Sequence, residues 1–483
     1  VYLTQAVQSL EFPVPLVAGE QALLRVFLTA NAANSAVLPG ARARFYANGE
    51  QIHAADIPPK SGPIPTEVNE GHLAMSVNAE IPGTVVRPGL EIVIEIDPVD
   101  GGLGVPRRIP ETGRLAVEVR EMPPFDLTLI PFIWTETHDS AVVELIEAVA
   151  ADPESHDLLQ GTRTLLPVAD LTVTAHDPVL SSSNNSNDLL RQATAIRALE
   201  RGRGYYMGMM SDSVRGPSGI APIGGRASFS VPGSVIMAHE LGHNLSLRHA
   251  PCGNAGGPDP GYPYADGSTG AWGYDFRDGG KLVQPDYARD LMTYCGTRWI
   301  SDYHFTNALR FRLHDEGTRP NRDHGPSGEA LLLWGGTDAN GIPFLEPTFV
   351  VDAPAALPDS SGAHVITGRT ASGAELFSVA FTMPEIADGD GSSSFAFVLP
   401  ARPGWEDDLA RITLSGPGGS FTLDNDNDVP MAILRDPRTG QVRGFLHGPP
   451  AATQAAADAR ATGAPGLEVL FSRGIPGADA WRR

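Results

Sequence analysis

The segment His239-Glu240-Leu241-Gly242-His243-Asn244-Leu245-Ser246-Leu247-Arg248-His249 limits what this chain can fold into more than any other stretch of it. His239 and His243 are four apart, so a helix stacks them on one face and both rings can aim a nitrogen at one ion. Glu240 sits beside them on another bearing, where a carboxylate can take a proton from a zinc-bound water without closing the coordination sphere. His249 comes six residues after His243, a separation at which a continuing helix would carry it away. The helix must therefore end near Leu245 or Ser246 if His249 is to turn back as third ligand. Three neutral imidazoles leave a fourth position open for water, the pattern of a catalytic zinc site rather than a structural one. The competing readings are a zinc site without activity and a buried histidine cluster.

Around the motif the chain changes character twice. Residues 1–121 read as β: 23–28, 73–77 and 90–96 are strand-like runs separated by Pro and Gly clusters, 114–120 is a last alternating strand, and the spacing suggests a sandwich. Pro123-Pro124 marks a boundary. From Phe125 strand and helix alternate, with strands at 125–130, 171–175 and 205–210 and helices at 140–151, which Asp139 can cap, and 188–200. Pro232 and Ser234 then supply start signals for the helix that carries His239. Past about 319 the pattern returns to short strands, at 330–334, 376–381, 395–399 and 412–414, consistent with a second sandwich. The reading is therefore a multidomain α+β chain, with a β domain at 1–121, a catalytic domain at 122–318 and a β domain at 319–483.

HExxHxxGxxH is the zinc signature of the metzincin endopeptidases, which add a methionine turn downstream, and this chain resembles that family. Asp290-Leu291-Met292-Thr293-Tyr294-Cys295 fits the turn. The resemblance implies that Met292 forms an apolar floor under the ligands His239, His243 and His249, that Glu240 is the general base, and that Tyr294 reaches the metal or steadies the transition state. It also implies that the segment 219–230 before the helix forms the sheet edge that receives the substrate backbone by strand addition. Cys252-Gly253, Pro258-Asp259-Pro260, Gly270-Ala271-Trp272-Gly273-Tyr274-Asp275 and Trp299-Ile300-Ser301-Asp302-Tyr303 are similar to bacterial secreted metzincins related to the StcE/TagA mucinase group. That similarity spans about 180–305 and implies a zinc peptidase cleaving extracellular proteins or glycoproteins. One position departs from the pattern: Ser246 stands where most of the family has Gly, so the turn there is expected to be built differently.

The chain has two cysteines, Cys252 and Cys295. If zinc loop and methionine turn stack as the resemblance implies, the two sulfurs come close and a disulfide would tie the loop between them; the alternative is two buried thiols. A disulfide would favour an extracytoplasmic location. Val1 is not an initiator methionine, and the chain reads as a processed or trimmed form without its signal segment.

Net charge is −22, with no basic run to track a phosphate backbone, which argues against a nucleic-acid partner. No run approaches the roughly eighteen apolar residues of a membrane span. A monomer acting on a protein substrate is the expectation. Between His249 and Gly280 lies a long Gly-, Pro- and Asp-rich stretch in which Asp259, Asp266, Asp275 and Asp278 are candidates for Ca2+ alongside the Zn2+ site, though their spacing fits no fixed motif. Asp424-Asn425-Asp426-Asn427-Asp428 resembles the start of a calcium loop but lacks its Gly and distal Glu, which favours a solvated turn. Tyr262, Tyr264, Trp272 and Tyr274 either line the cleft or form the stretch's own core. The rival from another class is an adhesion or glycan-binding protein with a structural or vestigial zinc site.

Overall fold

The computed structural model describes residues 1–98, 107–200, 202–316, 326–358, 361–448 and 466–481. Its architecture is multidomain α+β with several separate sheets. The chain gathers into two compact units that alternate along the sequence. The first comprises Val1–Pro124, Gly161–Asp170 and Leu247–Thr318, and the second Phe125–Gln160, Leu171–Ser246 and Arg319–Arg483. This partition differs from three consecutive blocks; the border at 318/319 itself lies outside the described residues.

In the first unit the N-terminal region forms two main sheets around one core. Strands Tyr2–Thr4, Ala22–Val26 and Val77–Ile81 make one, and Arg107–Ile109, Glu91–Ile96, Ala41–Ala47 and Glu50–Ile57 the other, with Leu115–Ala116 also pairing to Glu91–Ile96. Ala41–Ala47 shows how the sequence sets the face: Ala41, Ala43, Phe45 and Ala47 point inward, while Arg44 turns out to meet Glu95 at 3.0 Å. Leu24, Val26 and Val77 from one sheet share a core with Phe45, Ile92 and Ile94 from the other. Two expected strands are built otherwise. Leu73–Met75 is a short 3-10 turn, because the Leu73 carbonyl is taken by Lys60 Nζ and Asn78 Nδ2 rather than by a ladder. The run 114–120 splits into Leu115–Ala116, antiparallel to Glu91–Ile96, and Val119–Arg120, parallel to Leu16–Val17. Arg312, fully buried, donates to the Pro123, Pro124 and Pro167 carbonyls and so ties the three segments of this unit together.

The second unit is organised on a ten-stranded sheet. From one edge the order runs Ile386–Ala387, Gly219–Pro222, Ala227–Ser230, Tyr205–Met209, Phe125–Trp134, Val179–Ser181, Val442–His447, Met431–Arg435 and Glu468–Ser472, with Leu171–Ala175 also pairing to Phe125–Trp134. The central pairings are parallel. Parallel strands are covered on both faces, which explains why Phe125–Trp134 starts as an alternating pattern and ends as a continuous apolar run. Helix Ser186–Leu199, capped by the Asn185 side chain, sets Leu189, Ala193 and Ile196 against that sheet. Helix Ala141–Ala151 begins one residue after Ser140, and Asp139 accepts the Ala141 amide.

Residues 328–424 of this unit add two four-stranded sheets, Gly328–Thr337 with Pro343–Leu345, Phe349–Ala353 and Ser393–Pro400, and His364–Arg369 with Glu375–Phe381, Arg411–Gly416 and Gly419–Asp424. Leu331 and Leu333 face the second of these sheets, whereas Ala330, Leu332 and Trp334 belong to the core shared with helix Ser186–Leu199. Gly328–Thr337 is thus buried on both faces, which is why its Ala-Leu-Leu-Leu-Trp run shows no alternation.

Candidate metal centre

The motif helix is Ser234–Asn244, preceded by Gly233 and closed at Leu245, where the sequence requires it to stop. Its C-terminal end is fastened to the sheet edge. The His243 carbonyl accepts from Gly224 N at 2.8 Å, and Asn244 Nδ2 donates to the Pro222 and Ala227 carbonyls. These bonds satisfy groups a helix end leaves open and fix the rotation that buries His239 and His243. Ser246 adopts φ 69, the left-handed conformation that glycine takes without strain. The conformation costs about 1–2 kcal/mol for a residue with a Cβ, the cost foreseen for serine at this position.

The Nε2 atoms of His239 and His243 are 3.1 Å apart. A carboxylate that the sequence does not point to, Asp388, joins them: its Oδ2 is 2.8 Å from His243 Nε2 and 3.3 Å from His239 Nε2. Two tetrahedral ligands about 2.0–2.1 Å from zinc are separated by about 3.3 Å, so this triangle of donor atoms has the dimensions and the imidazole–carboxylate chemistry that zinc accepts. The possible ligand atoms of His239, His243 and Asp388 lie within 4.8 Å of one another. Glu240, 2% exposed, lies against Gly219 of the edge strand, where an added Cβ would come within 2.2 Å of the carboxylate Oε1. Only glycine at 219 leaves this carboxylate its place.

His249 Nδ1 lies 2.6 Å from the Gly256 carbonyl, which makes Nδ1 the protonated nitrogen and leaves the Nε2 lone pair for a metal. The segment that follows runs beside the methionine turn: Ala250 N donates to the Met292 carbonyl, Tyr294 N donates to the Cys252 carbonyl, and Cys252 and Cys295 form a disulfide with Cα atoms 5.9 Å apart. Met292 is fully buried. Tyr294, 40% exposed, sets its ring edge-on to His249 with centroids 5.0 Å apart.

Asp290 holds the turn together. Its Oδ1 accepts from Met292 N and from His304 Nδ1, both at 2.8 Å, and its Oδ2 accepts from Ser301 N at 2.9 Å. Burial alone would push this carboxyl up; the His304 charge and hydrogen bond, with the Ser301 and Met292 donors, hold it below the usual carboxylate range instead.

The aromatic residues of the long stretch pack within their own unit. Tyr262 is buried beside Tyr264, Tyr303 and His304, and Tyr274 and Trp272 lie on strand Trp272–Asp275. Asp259 accepts from Tyr303 Oη and Gly261 N, Asp266 accepts from Ser268 N, and Asp275 pairs with Arg277. The Asp278 side chain lies outside the described residues. Asp424 to Asp428 form a turn held by Asx bonds, with Asp428 paired to Arg473.

The strand Gly219–Pro222 pairs antiparallel with Ala227–Ser230 on one side. On its outer side it pairs antiparallel with Ile386–Ala387, so the edge expected to face substrate is covered by the chain itself.

Residues 195–288 match the family model for peptidase M66. A stretch of 67 residues is 43% identical to a dictomallein-like protein of Hahella chejuensis, covering 14% of this chain and 10% of that protein. The family match takes in the motif helix and His249 but ends before Met292, Tyr294 and Asp388. It supports a peptidase, and together with the histidine–aspartate group it suggests a metal, of which zinc suits the donors best.

Asp388 had no signal in the sequence. Asp388-Gly389-Asp390-Gly391 reads as an acidic turn, and only sheet pairing across more than a hundred residues brings it to the histidines. Asp290 and His304 carried a fainter one: the aspartate two residues before the methionine is placed to cap the turn's amides.

Proposed function

We propose that the chain is a secreted zinc-dependent endopeptidase that hydrolyses peptide bonds in extracellular proteins, glycoproteins among them. The observation that carries this reading is the convergence of His239 Nε2 and His243 Nε2 on a helix whose Glu240 is buried against a glycine of the sheet edge. Zinc held by His239, His243 and His249 supplies Lewis acidity toward a carbonyl and a water. Glu240 takes the proton of the attacking water and delivers it to the leaving amine. The Tyr294 phenol donates to the developing oxyanion. The main chain of Gly219–Pro222 would align the substrate by strand pairing once Ile386–Ala387 leaves that edge, and the Asn244 and Gly224 bonds keep the edge in register with the helix. The Cys252–Cys295 disulfide favours an oxidising compartment, which supports secretion.

Glu240→Gln should keep stoichiometric zinc while lowering kcat/KM about 10²–10⁴-fold on denatured protein and on an O-glycosylated substrate. Near-normal cleavage by the variant would sink the mechanism. A second reading, an adhesion or glycan-binding protein with a structural zinc, is favoured by one observation: Asp388 supplies a fourth donor, and structural sites are closed. Cleavage of neither substrate, or cleavage indifferent to chelator, would select it.

A further inference from the structure

Residues 385–388 do two things that a bound substrate would do. They add an antiparallel strand to the outer edge of Gly219–Pro222, with Ala387 opposite Ala221 and Ile386 opposite Pro222, and the Glu385 carbonyl accepts from Ile223 N at 2.8 Å. They then place a carboxylate oxygen on both motif imidazoles, 2.8 Å from His243 and 3.3 Å from His239. A peptide lying on that edge would bring its own carbonyl or carboxylate oxygen to the same atoms. The segment therefore occupies the edge and the donor position together.

The way it is held is equally uneven. Asp388 has φ 61, a left-handed conformation costing about 1–2 kcal/mol for a residue with a Cβ, and such strain persists only where the surroundings over-determine it. Its ladder to Gly219–Pro222 is two residues long. Beyond it, the connection 382–392 runs between strands Glu375–Phe381 and Ser393–Pro400, each of which belongs to its own four-stranded sheet, and Ser393 Oγ donates to the Pro384 carbonyl. The two ends are anchored in sheets, and the contacts of the tip include the metal-site contact, the two-residue ladder, the packing of Ile386 against the sheet core and the Ser392 Oγ bond to Asn187 Oδ1. A structural ligand is normally embedded in a rigid second shell.

We propose that Asp388 is a displaceable fourth ligand and that residues 385–388 are a built-in substrate mimic, so that the folded chain holds its peptidase site closed until this segment withdraws. This rests on the endopeptidase reading above. Withdrawal frees one coordination position and one strand edge in a single movement, and the competing ligand is the extended backbone of a protein substrate. Cleavage by the unaltered chain then reports the fraction of molecules in which the segment is out.

The test uses the full chain with Asp388→Ala and, in case that variant folds poorly, the isosteric Asp388→Asn. Three quantities are read: zinc affinity by competition with a chromophoric chelator, the visible absorption of the Co2+-substituted protein, and cleavage of a denatured protein. The expected result is zinc affinity weakened at least about tenfold, since even a residue that only supports a ligand costs 10–100-fold, a changed Co2+ spectrum, and cleavage raised at least about tenfold over the unaltered chain. Unchanged zinc affinity and Co2+ spectrum in both variants, with Glu240-dependent cleavage by the unaltered chain, overturns the ligand role of Asp388 and leaves the endopeptidase reading standing. Weakened zinc affinity with no cleavage by any form overturns both the displaceable character of Asp388 and the endopeptidase reading, and makes the site a structural one.

Discussion

Asp290 and Asp388 are both carboxylates set against imidazole, yet they are fixed in opposite ways. Asp290 is fully buried and sits in a turn with three donors of its own, Met292 N, Ser301 N and His304 Nδ1, and the same turn is cross-linked by Cys252–Cys295. Asp388 sits at the tip of a connection in a strained conformation, with a ladder of two residues behind it. The first arrangement cannot be loosened without unfolding its surroundings, because each broken bond strands a buried polar group. The second rests on one oxygen contact, one short strand, the Ile386 side chain and the Ser392 bond to Asn187, each of which an extended peptide and water can replace. Identical chemistry thus serves permanence in one region and replaceability in the other.

The comparison breaks most visibly at Asp290. Asp290→Ala leaves His304 buried without its partner and should cost about 3–5 kcal/mol, read as a shift in the denaturant midpoint; a loss under about 1 kcal/mol would mean that the turn is fixed by something else. The sign with pH follows from the lowered carboxyl. Its stabilisation is present above the unfolded-state value of about 3.9 and is lost as pH falls through the lower folded-state value, so the variant should show a flatter acid limb than the parent. Next in size, replacing both Cys252 and Cys295 by Ser opens a loop with a sequence separation of 43 and should cost about 4 kcal/mol on the chain-entropy model. An unchanged melting temperature would show that the bond is not formed in solution. The smallest effects test strain in the two regions. Ser246→Gly relieves a left-handed non-glycine residue and should raise stability by about 0.5–1 kcal/mol once the added freedom of glycine in the unfolded chain is counted, whereas in Asp388→Gly the same relief is opposed by loss of the carboxylate contact to His243. A destabilisation at Ser246 would show that its side chain contributes more than the strain removes.

What the sequence discloses and what it withholds follow the range of the interactions involved. The motif helix, its end at Leu245, the strands 171–175 and 205–209 and the helix around Leu189 to Leu199 are set by local periodicity and by caps, and they can be read directly. The pairing of Cys252 with Cys295 followed from stacking two local features. The α+β class was legible for the same reason. At Ser246 the sequence shows a residue for which a left-handed conformation is costly, and the chain adopts that conformation nonetheless, with Ser246 N donating to the His243 carbonyl. That Ile386–Ala387 and Met431–Arg435 join the sheet built on Phe125–Trp134 is not disclosed by the local pattern, because a strand's own residues specify that it pairs but not with which distant edge. Asp388 belongs to that class: its role is assigned by a neighbour in space, and no spacing in the sequence encodes it.

The strands Met431–Arg435, Val442–His447 and Glu468–Ser472 continue the same sheet that begins with Phe125–Trp134. A ribosome or a secretion channel delivers this chain from its N-terminus, so Val179–Ser181 waits for a hydrogen-bonding neighbour that emerges more than two hundred and fifty residues later. Such non-local pairing closes slowly. The timing of biosynthesis therefore becomes a safeguard: the histidines and Glu240 emerge before Met431–Arg435, Val442–His447 and Glu468–Ser472, the strands that extend the sheet beneath them.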